Sequence, residues 1–211
     1  MGRSPQDRST APTGYPRARA RTRAALVAAG QQVMAERGVE GATIAEIAER
    51  AGVSPGTFYN HFGDIPTLLD EVVDHILVEL DATLAEVTAL DRPVAERFAI
   101  GVQALLERAV ADPVWGWCLV RVEPTADKLR VALHERVEGN VASGVASRHY
   151  AATSSPEAVA DLLIGTLTMA TRSLLDGRTT LAEAPATAEL LLRALGVPAA
   201  EAGAVVRRAL A

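Results

Sequence analysis

The apolar positions between residues 43 and 62 repeat with a helical period that is broken once and then restarted. Ile44, Ile47, Ala48 and Ala51 fall at i, i+3, i+4 and i+7, the stripe of a short helix. Thr43 precedes it with Glu46 three residues on, the spacing of a capping box in which the hydroxyl accepts from the Glu46 amide and the carboxylate reaches back. Gly52 ends the helix, because glycine enters a left-handed conformation most cheaply. A second helix starts at once: Ser54 suits the N-cap and Pro55 suits N1, while Val53 and Phe58 make a hydrophobic staple. Two short helices on a tight glycine turn predict a helix-turn-helix.

The same period carries through the rest of the chain. A first helix is expected from near Arg19 to Arg37, with Leu26, Gly30, Val33 and Met34 on one face and Gly38 as its stop. Asp64 caps a long helix reaching about Leu90, whose first turn packs on the head and whose body belongs to the second domain. Further helices are expected over Val94–Ala111, from Ala126 to about Tyr150, from Pro156 to about Leu175 and over Pro185–Leu195, with a short helical tail beyond. Asp112-Pro113 separates the first of these from the apolar cluster Trp115–Val120. No run of four β-branched residues bounded by turns appears, so the expected fold is all-α. It divides into a disordered arginine-rich arm (1–18), a three-helix head (19–64) and a larger helical domain (65–211).

The second short helix shows a definite outer face. Phe58 and Phe62 turn inward together, which leaves Asn60 opposite, Gly56 and Thr57 beside it, and Tyr59 and His61 on the flanks. Asparagine pairs bidentately with adenine, and Tyr and His suit phosphate oxygens. Pro55 and Gly56 leave the N-terminus bare, where free amides favour an anion. An ordinary helical hairpin with a polar outer face is the competing reading, and the order of the caps weighs against it.

The segment ATIAEIAERAGVSPGTFYNHFGDIPTLL resembles the DNA-binding signature of TetR-type bacterial repressors, over about Ala24 to Leu69. The resemblance implies that Thr43 and its first turn touch phosphate, that Gly56, Thr57 and Asn60 meet bases, and that Tyr59 and His61 clamp the backbone. Ser54 and Pro55 complete this candidate DNA-contacting set. The family usually has Lys where this chain has Ile65, so one phosphate contact is missing from the pattern.

Charge supports that picture only when it is located. The net charge is −5, yet through Asp64 eight arginines face six acids, a balance of +2 that leaves −7 for the remainder. A basic head on an acidic body directs only the head to nucleic acid. Arg17 and Arg21 share one helical column and Arg19 and Arg23 the next, a candidate grip on phosphates; Arg3 and Arg8 read equally well as a solubilising tail.

Other chemistry is sparse. Cys118 is the one cysteine, which excludes an internal disulfide and a CxxC metal site. His75 among Asp70, Glu71, Asp74 and Glu79 reads as a solvated acidic face, so neither metal nor cofactor is expected. No phosphate loop, GxSxG or GxGxxG occurs, and His134, Arg121 and Glu123 have no evident nucleophile, which argues against an enzyme. The longest apolar stretch, Leu162–Ala170, is short for a bilayer, and the N-terminus lacks an apolar signal core; a cytoplasmic protein without a membrane partner is expected.

The last two long helices are apolar on two sides, so each needs a second partner. A homodimer is expected, with Leu163, Thr166, Ala170, Leu191 and Leu195 at its interface, as in TetR-like proteins. A small, mostly apolar effector is expected near Phe98, Trp117, Cys118, Leu133 and Met169, though the two tryptophans read slightly more readily as core. The expected function is a dimeric regulator that binds double-stranded DNA at a palindromic operator, a repressor released by that effector. A DNA-binding scaffold without effector and a helical enzyme are the alternatives.

Overall fold

A computed structural model of the protein describes residues 15–151 and 155–211. Among the described residues ten α-helices succeed one another: α1 (Tyr15–Arg37), α2 (Ile44–Arg50), α3 (Pro55–His61), α4 (Ile65–Thr88), α5 (Val94–Ala111), α6 (Pro113–Val122), α7 (Asp127–Ala146), α8 (Pro156–Leu175), α9 (Ala184–Ala194) and α10 (Ala199–Ala209). A 3-10 turn at Leu181–Glu183 precedes α9, and the described residues contain no strand. The all-α expectation holds.

Three boundaries differ from the pattern reading, the simplest being that α7 stops at Ala146, short of the expected Tyr150. Helix α1 starts at Tyr15, so the last residues of the expected arm are helical; the rest of that arm, with Arg3 and Arg8, lies outside the described residues. The expected C-terminal tail is the full helix α10. Ala202, Val205 and Val206 are buried on one side of it, and Arg208 Nε reaches Glu96 on α5 at 2.9 Å.

The helix-turn-helix is closed by its own local chemistry. Gly52, at φ +67°, donates to the Glu49 carbonyl at 3.0 Å, and the Val53 amide reaches back to Ala48 at 2.9 Å. This pair of bonds is the Schellman ending, which satisfies the carbonyls a helix end leaves open. Ser54 Oγ accepts from the Thr57 amide at 3.2 Å and Asp64 Oδ1 from the Thr67 amide at 2.8 Å. Thr43 Oγ1 accepts from the Glu46 amide at 3.3 Å, but the reciprocal half of that box is not made. The Glu46 carboxylate turns instead to Arg37 and Arg50, at 3.1 and 3.0 Å.

Phe58 and Phe62 are fully buried under the head, each contributing roughly 1.5–3 kcal/mol by leaving water. At Gly30 an added Cβ would stand 2.8 Å from Leu68 Cδ2, so the missing side chain lets α1 and α4 approach. The core beneath the head continues without a break through Leu68, Val72 and Ile76 of α4 to Trp115 and Cys118 of α6. The core is thus continuous across residue 64, the expected end of the head. A second core joins α5, α8, α9 and α10 around Leu106, Leu163, Leu191 and Val205.

Ion pairs set the directions of the helices around α4. Lys128–Asp74 at 2.5 Å and Arg136–Asp81 at 2.6 Å run α7 alongside α4 in the same sense. Arg108 pairs with Glu79, and Gly101 lies against Leu84 and Val87, so α5 runs back along α4. Helix α8 closes this arrangement and leaves a space inside it.

Candidate nucleic-acid interface and interior cavity

Helix α3 presents the face that the pattern predicts. Gly56, Tyr59 and Asn60 are exposed, and Tyr59 stands edge-on to the buried Phe58 ring with centroids 5.8 Å apart. A Cβ at Gly56 would meet only Ser54 Oγ within 4 Å, so the outer surface of the first turn is open to a close partner. Pro55 is exposed at N1. Thr57 is half-buried, and its hydroxyl shares a 3.0 Å hydrogen bond with Ser54 Oγ, which ties both side chains into the cap. Thr43 is exposed at the start of α2.

His61 is half-buried, and its Nδ1 is enclosed without a partner. An orphaned buried N–H is less favourable than an orphaned lone pair, so the ring proton belongs on Nε2, where it is a donor for an outside acceptor.

The arginine run divides in two. Arg17, Arg19 and Arg21 are exposed and make no ion pair among the described residues. Arg23 is built into the fold. Its Nη1 donates to the His61 carbonyl at 2.7 Å, its Nε to Glu71 Oε1 at 2.9 Å, and its guanidinium lies 4.2 Å over the Phe62 ring. The phosphate grip expected of Arg23 is thus replaced by a tie joining α1, α3 and α4. Arg50 is likewise held by Glu36 and Glu46, and its guanidinium lowers the Glu36 pKa. Ile65 packs half-buried against the head core, so nothing at that position substitutes for the family's lysine.

The head is also fastened from the other side. Arg121 of α6 donates to the Ala35 carbonyl at 2.6 Å and to that of Glu36, the open carbonyls of the last turn of α1. A cation there also meets the negative end of the helix dipole. The Trp117 ring lies 4.4 Å beneath the same guanidinium. Trp115 is buried against α4, its Nε1 3.5 Å from the Ile76 carbonyl.

A cavity of about 590 Å³ lies between α4, α5, α7 and α8, with Leu119 of α6 also on its wall. Its walls are chiefly apolar, including Leu84, Phe98, Val102, Leu133, Val137 and Leu167. Asp81 and Arg136 reach it as a closed pair, and Arg97, Asn140, Ser143 and Thr171 add polar groups. Phe98 and Leu133 line it as expected, but three other expected residues do not. Trp117 faces α1; Cys118 is enclosed in the head core, its thiol pKa pushed up to about 12 by burial; Met169 is 54% exposed on the far side of α8. An apolar side chain on a helix with two buried sides does not announce which side it serves.

The same ambiguity affects the surface expected between protomers. Thr166 and Ala170 lie on an outward stripe of α8, but Leu163, Leu191 and Leu195 are enclosed within the protomer at 1%, 2% and 4% exposure. The large apolar side chains left exposed on these two helices are instead Leu162, Met169 and Leu190, by 49%, 54% and 59%. Spaced i, i+4, i+7 and i+8 on α8, Leu162, Thr166, Met169 and Ala170 form one ridge, with Leu190 of α9 beside it. Helix α8 is also long and apolar enough to cross a membrane by length and composition alone, which the shorter stretch Leu162–Ala170 does not convey.

Residues 26–72 match the tetR family of bacterial regulatory proteins, and residues 93–208 match the tetracyclin repressor-like C-terminal domain. The chain belongs to the TetR family. That family consists of transcriptional regulators. Over 126 residues the chain is 30% identical to the HTH-type transcriptional regulator BetI of Burkholderia mallei, a match over 56% of this chain and 65% of that relative. The chain therefore spans just under two thirds of the length of the BetI relatives it matches. An HTH-type regulator of Mycobacterium bovis, Mb3439c, is 29% identical over 68% of this chain and 73% of its own. Among solved structures, RolR in complex with resorcinol superposes with a TM-score of 0.68 at 29% identity, covering 92% of this chain and 96% of RolR.

Proposed function

We propose that this TetR-family protein is a dimeric DNA-binding repressor that reads a palindromic operator through α3 and is released by a small, mostly apolar ligand held in the cavity. The observation that carries the reading is the position of α6. Its Leu119 lines the cavity, and two residues on Arg121 holds the C-terminus of α1. A ligand that moves this helix moves the head, so operator and ligand compete by linkage.

Gly56, Thr57 and Asn60 read bases from α3, while Thr43, Ser54, Pro55, Tyr59, His61 and the free Arg17 and Arg21 hold phosphates. The exposed ridge of α8 and α9 joins two protomers, which sets their recognition helices toward successive major grooves. The cytoplasm is the working compartment. RolR, crystallised with resorcinol, supports a small organic effector. The cavity's volume and chiefly apolar walls favour a ligand-responsive regulator over a scaffold without effector.

The test begins with genomic fragments retained by the purified protein, which supply the operator. Asn60→Ala is then titrated against operator and scrambled duplexes. A loss of roughly 1–3 kcal/mol confined to the operator, with relaxed preference at one base pair per half-site, supports the reading. Equal loss on both duplexes makes Asn60 a phosphate ligand, and absence of any retained fragment sinks the repressor.

A further inference from the structure

The cavity is much larger than a single aromatic ring requires. An engineered cavity of about 150 Å³ accommodates benzene, whereas this partly open one offers about 590 Å³, roughly four times as much. Besides Thr88, Thr168 and the closed Asp81–Arg136 pair, its polar groups fall into two sets, Arg97 with Asn140 and Ser143, and Thr171.

At one end stand Arg97, Asn140 and Ser143. The Asn140 carbonyl oxygen accepts from the Tyr150 hydroxyl at 3.4 Å, which leaves its NH2 group for another acceptor. Arg97 spends one N–H on the Arg92 carbonyl at 2.7 Å and faces no carboxylate within ion-pair distance among the described residues. The other charges on the cavity wall, Asp81 and Arg136, neutralise each other. This end is therefore donor-rich and carries an unbalanced positive charge.

Thr171 marks the opposite end. It lies one turn before Leu175, whose side chain packs at Gly116 beside Ala109, itself one turn beyond the cavity-lining Leu105. Its residue is completely buried, and its hydroxyl has no partner. Thr22, Thr83 and Thr88 each bond the carbonyl four residues back, the usual refuge of a helical threonine. Thr171 does not. Buried polar groups are almost always hydrogen-bonded, so a hydroxyl left unpaired and shut off from solvent in a residue bordering the cavity is one that a ligand oxygen satisfies once the side chain turns toward it. Apart from Arg97, the charges on the wall, Asp81 and Arg136, are already paired with each other, so an ion beside Thr171 would be buried without compensation.

From Arg97 to Leu105 along α5 is eight residues, roughly 12 Å at 1.5 Å per residue. We propose that the cavity takes an elongated weak acid, its carboxylate at Arg97 and Asn140, a neutral hydroxyl or carbonyl oxygen at Thr171, and an apolar body spanning the space between. This inference rests on the reading of the cavity as the effector site and specifies what that site selects. Thr171 is its specificity-determining residue: it distinguishes ligands that reach it from those that stop short.

Calorimetry on the intact protein with decanoate, 10-hydroxydecanoate and 1-decanol tests it without DNA. With the natural residue, 10-hydroxydecanoate binds at least as tightly as decanoate. In Thr171→Val the terminal hydroxyl is buried without a partner, and 10-hydroxydecanoate falls about 3- to 10-fold behind decanoate. Arg97→Gln weakens both acids about 10-fold and leaves 1-decanol unchanged. The melting temperature of ligand-free Thr171→Val rises, because an unpaired hydroxyl has been removed, and this readout also establishes that the variant folds. An unchanged preference between the two acids in Thr171→Val overturns the proposal, as does decanol binding as tightly as decanoate or failure of either acid to bind. Release of retained DNA is scored separately: acids that bind as described but never displace the operator refute the repressor reading and leave the ligand class standing.

Discussion

Replacing Arg23 by alanine separates a structural arginine from a DNA-contacting one, and the structure supplies the magnitude. Three interactions are lost at once: a charged donor on the His61 carbonyl at 2.7 Å, the pair with Glu71, and the stack 4.2 Å over Phe62. The side chains of Arg23 and Glu71 are 38% and 35% exposed, so each contribution belongs near the lower end of its range. That gives about 1.5 kcal/mol for the carbonyl bond, about 0.5 for the ion pair and about 0.5 for the ring contact. Because one guanidinium makes all three, they do not add independently, and about 2 kcal/mol is the expected loss. For a chain of this size that lowers the melting temperature by roughly 4–8 °C. Calorimetric melting at fixed protein concentration measures it, with Glu71→Gln reproducing part of the drop and adding little on top of Arg23→Ala. The salt dependence of binding to any duplex is the second assay. A phosphate contact contributes about 0.9 to the slope of log K against log salt, and Arg23→Ala should leave that slope where it was. An unchanged melting temperature with the slope reduced by about 0.9 would refute the assignment and return Arg23 to the phosphate grip.

The two faces of α8 and α9 predict opposite outcomes for the same kind of substitution. Met169→Glu or Leu190→Glu yields folded monomers in light scattering and circular dichroism, whereas Leu163→Glu or Leu191→Glu unfolds the protomer by burying an unpaired charge; folded monomers from the second pair would undo the distinction. Glu123 gives a pH-dependent prediction. Burial raises its carboxyl pKa, with the neighbouring Arg130 and His134 acting in the opposite sense. A folded pKa above the unfolded value favours the native state while the group is protonated, and that contribution is lost as pH rises through the folded value. Glu123→Gln therefore raises the melting temperature at pH 7 and not at pH 4, and an equal gain at both pH values would show that charge is not the cause.

Much of the head is local, and for that reason the sequence alone specified it. A capping hydroxyl, a proline at N1, a left-handed glycine and a staple each act within about one helical turn, so Thr43, Gly52, Ser54, Pro55 and Phe58 located the motif without knowledge of the fold. The exposed face of α3 emerged from the helical angle once Phe58 and Phe62 were assigned inward. The start of α8 at Pro156 was equally legible, being written in a cap and a proline.

What the tertiary structure decided is which of two similar surfaces each residue faces. Arg23 and Arg17 belong to one basic run, and only the arrival of Glu71 and the His61 carbonyl from elsewhere in the chain withdraws Arg23 from the surface. Periodicity shows that α8 and α9 have two apolar sides, but it is degenerate between the side packed in the protomer and the side left open; that choice is set by where α5 and α7 lie. The cavity is less visible still, because a void is a property of how α4, α5, α7 and α8 fail to fill space together. Thr171 illustrates the point: in sequence it is one helical threonine among several, and only burial with no carbonyl or side chain in reach makes it a candidate ligand contact.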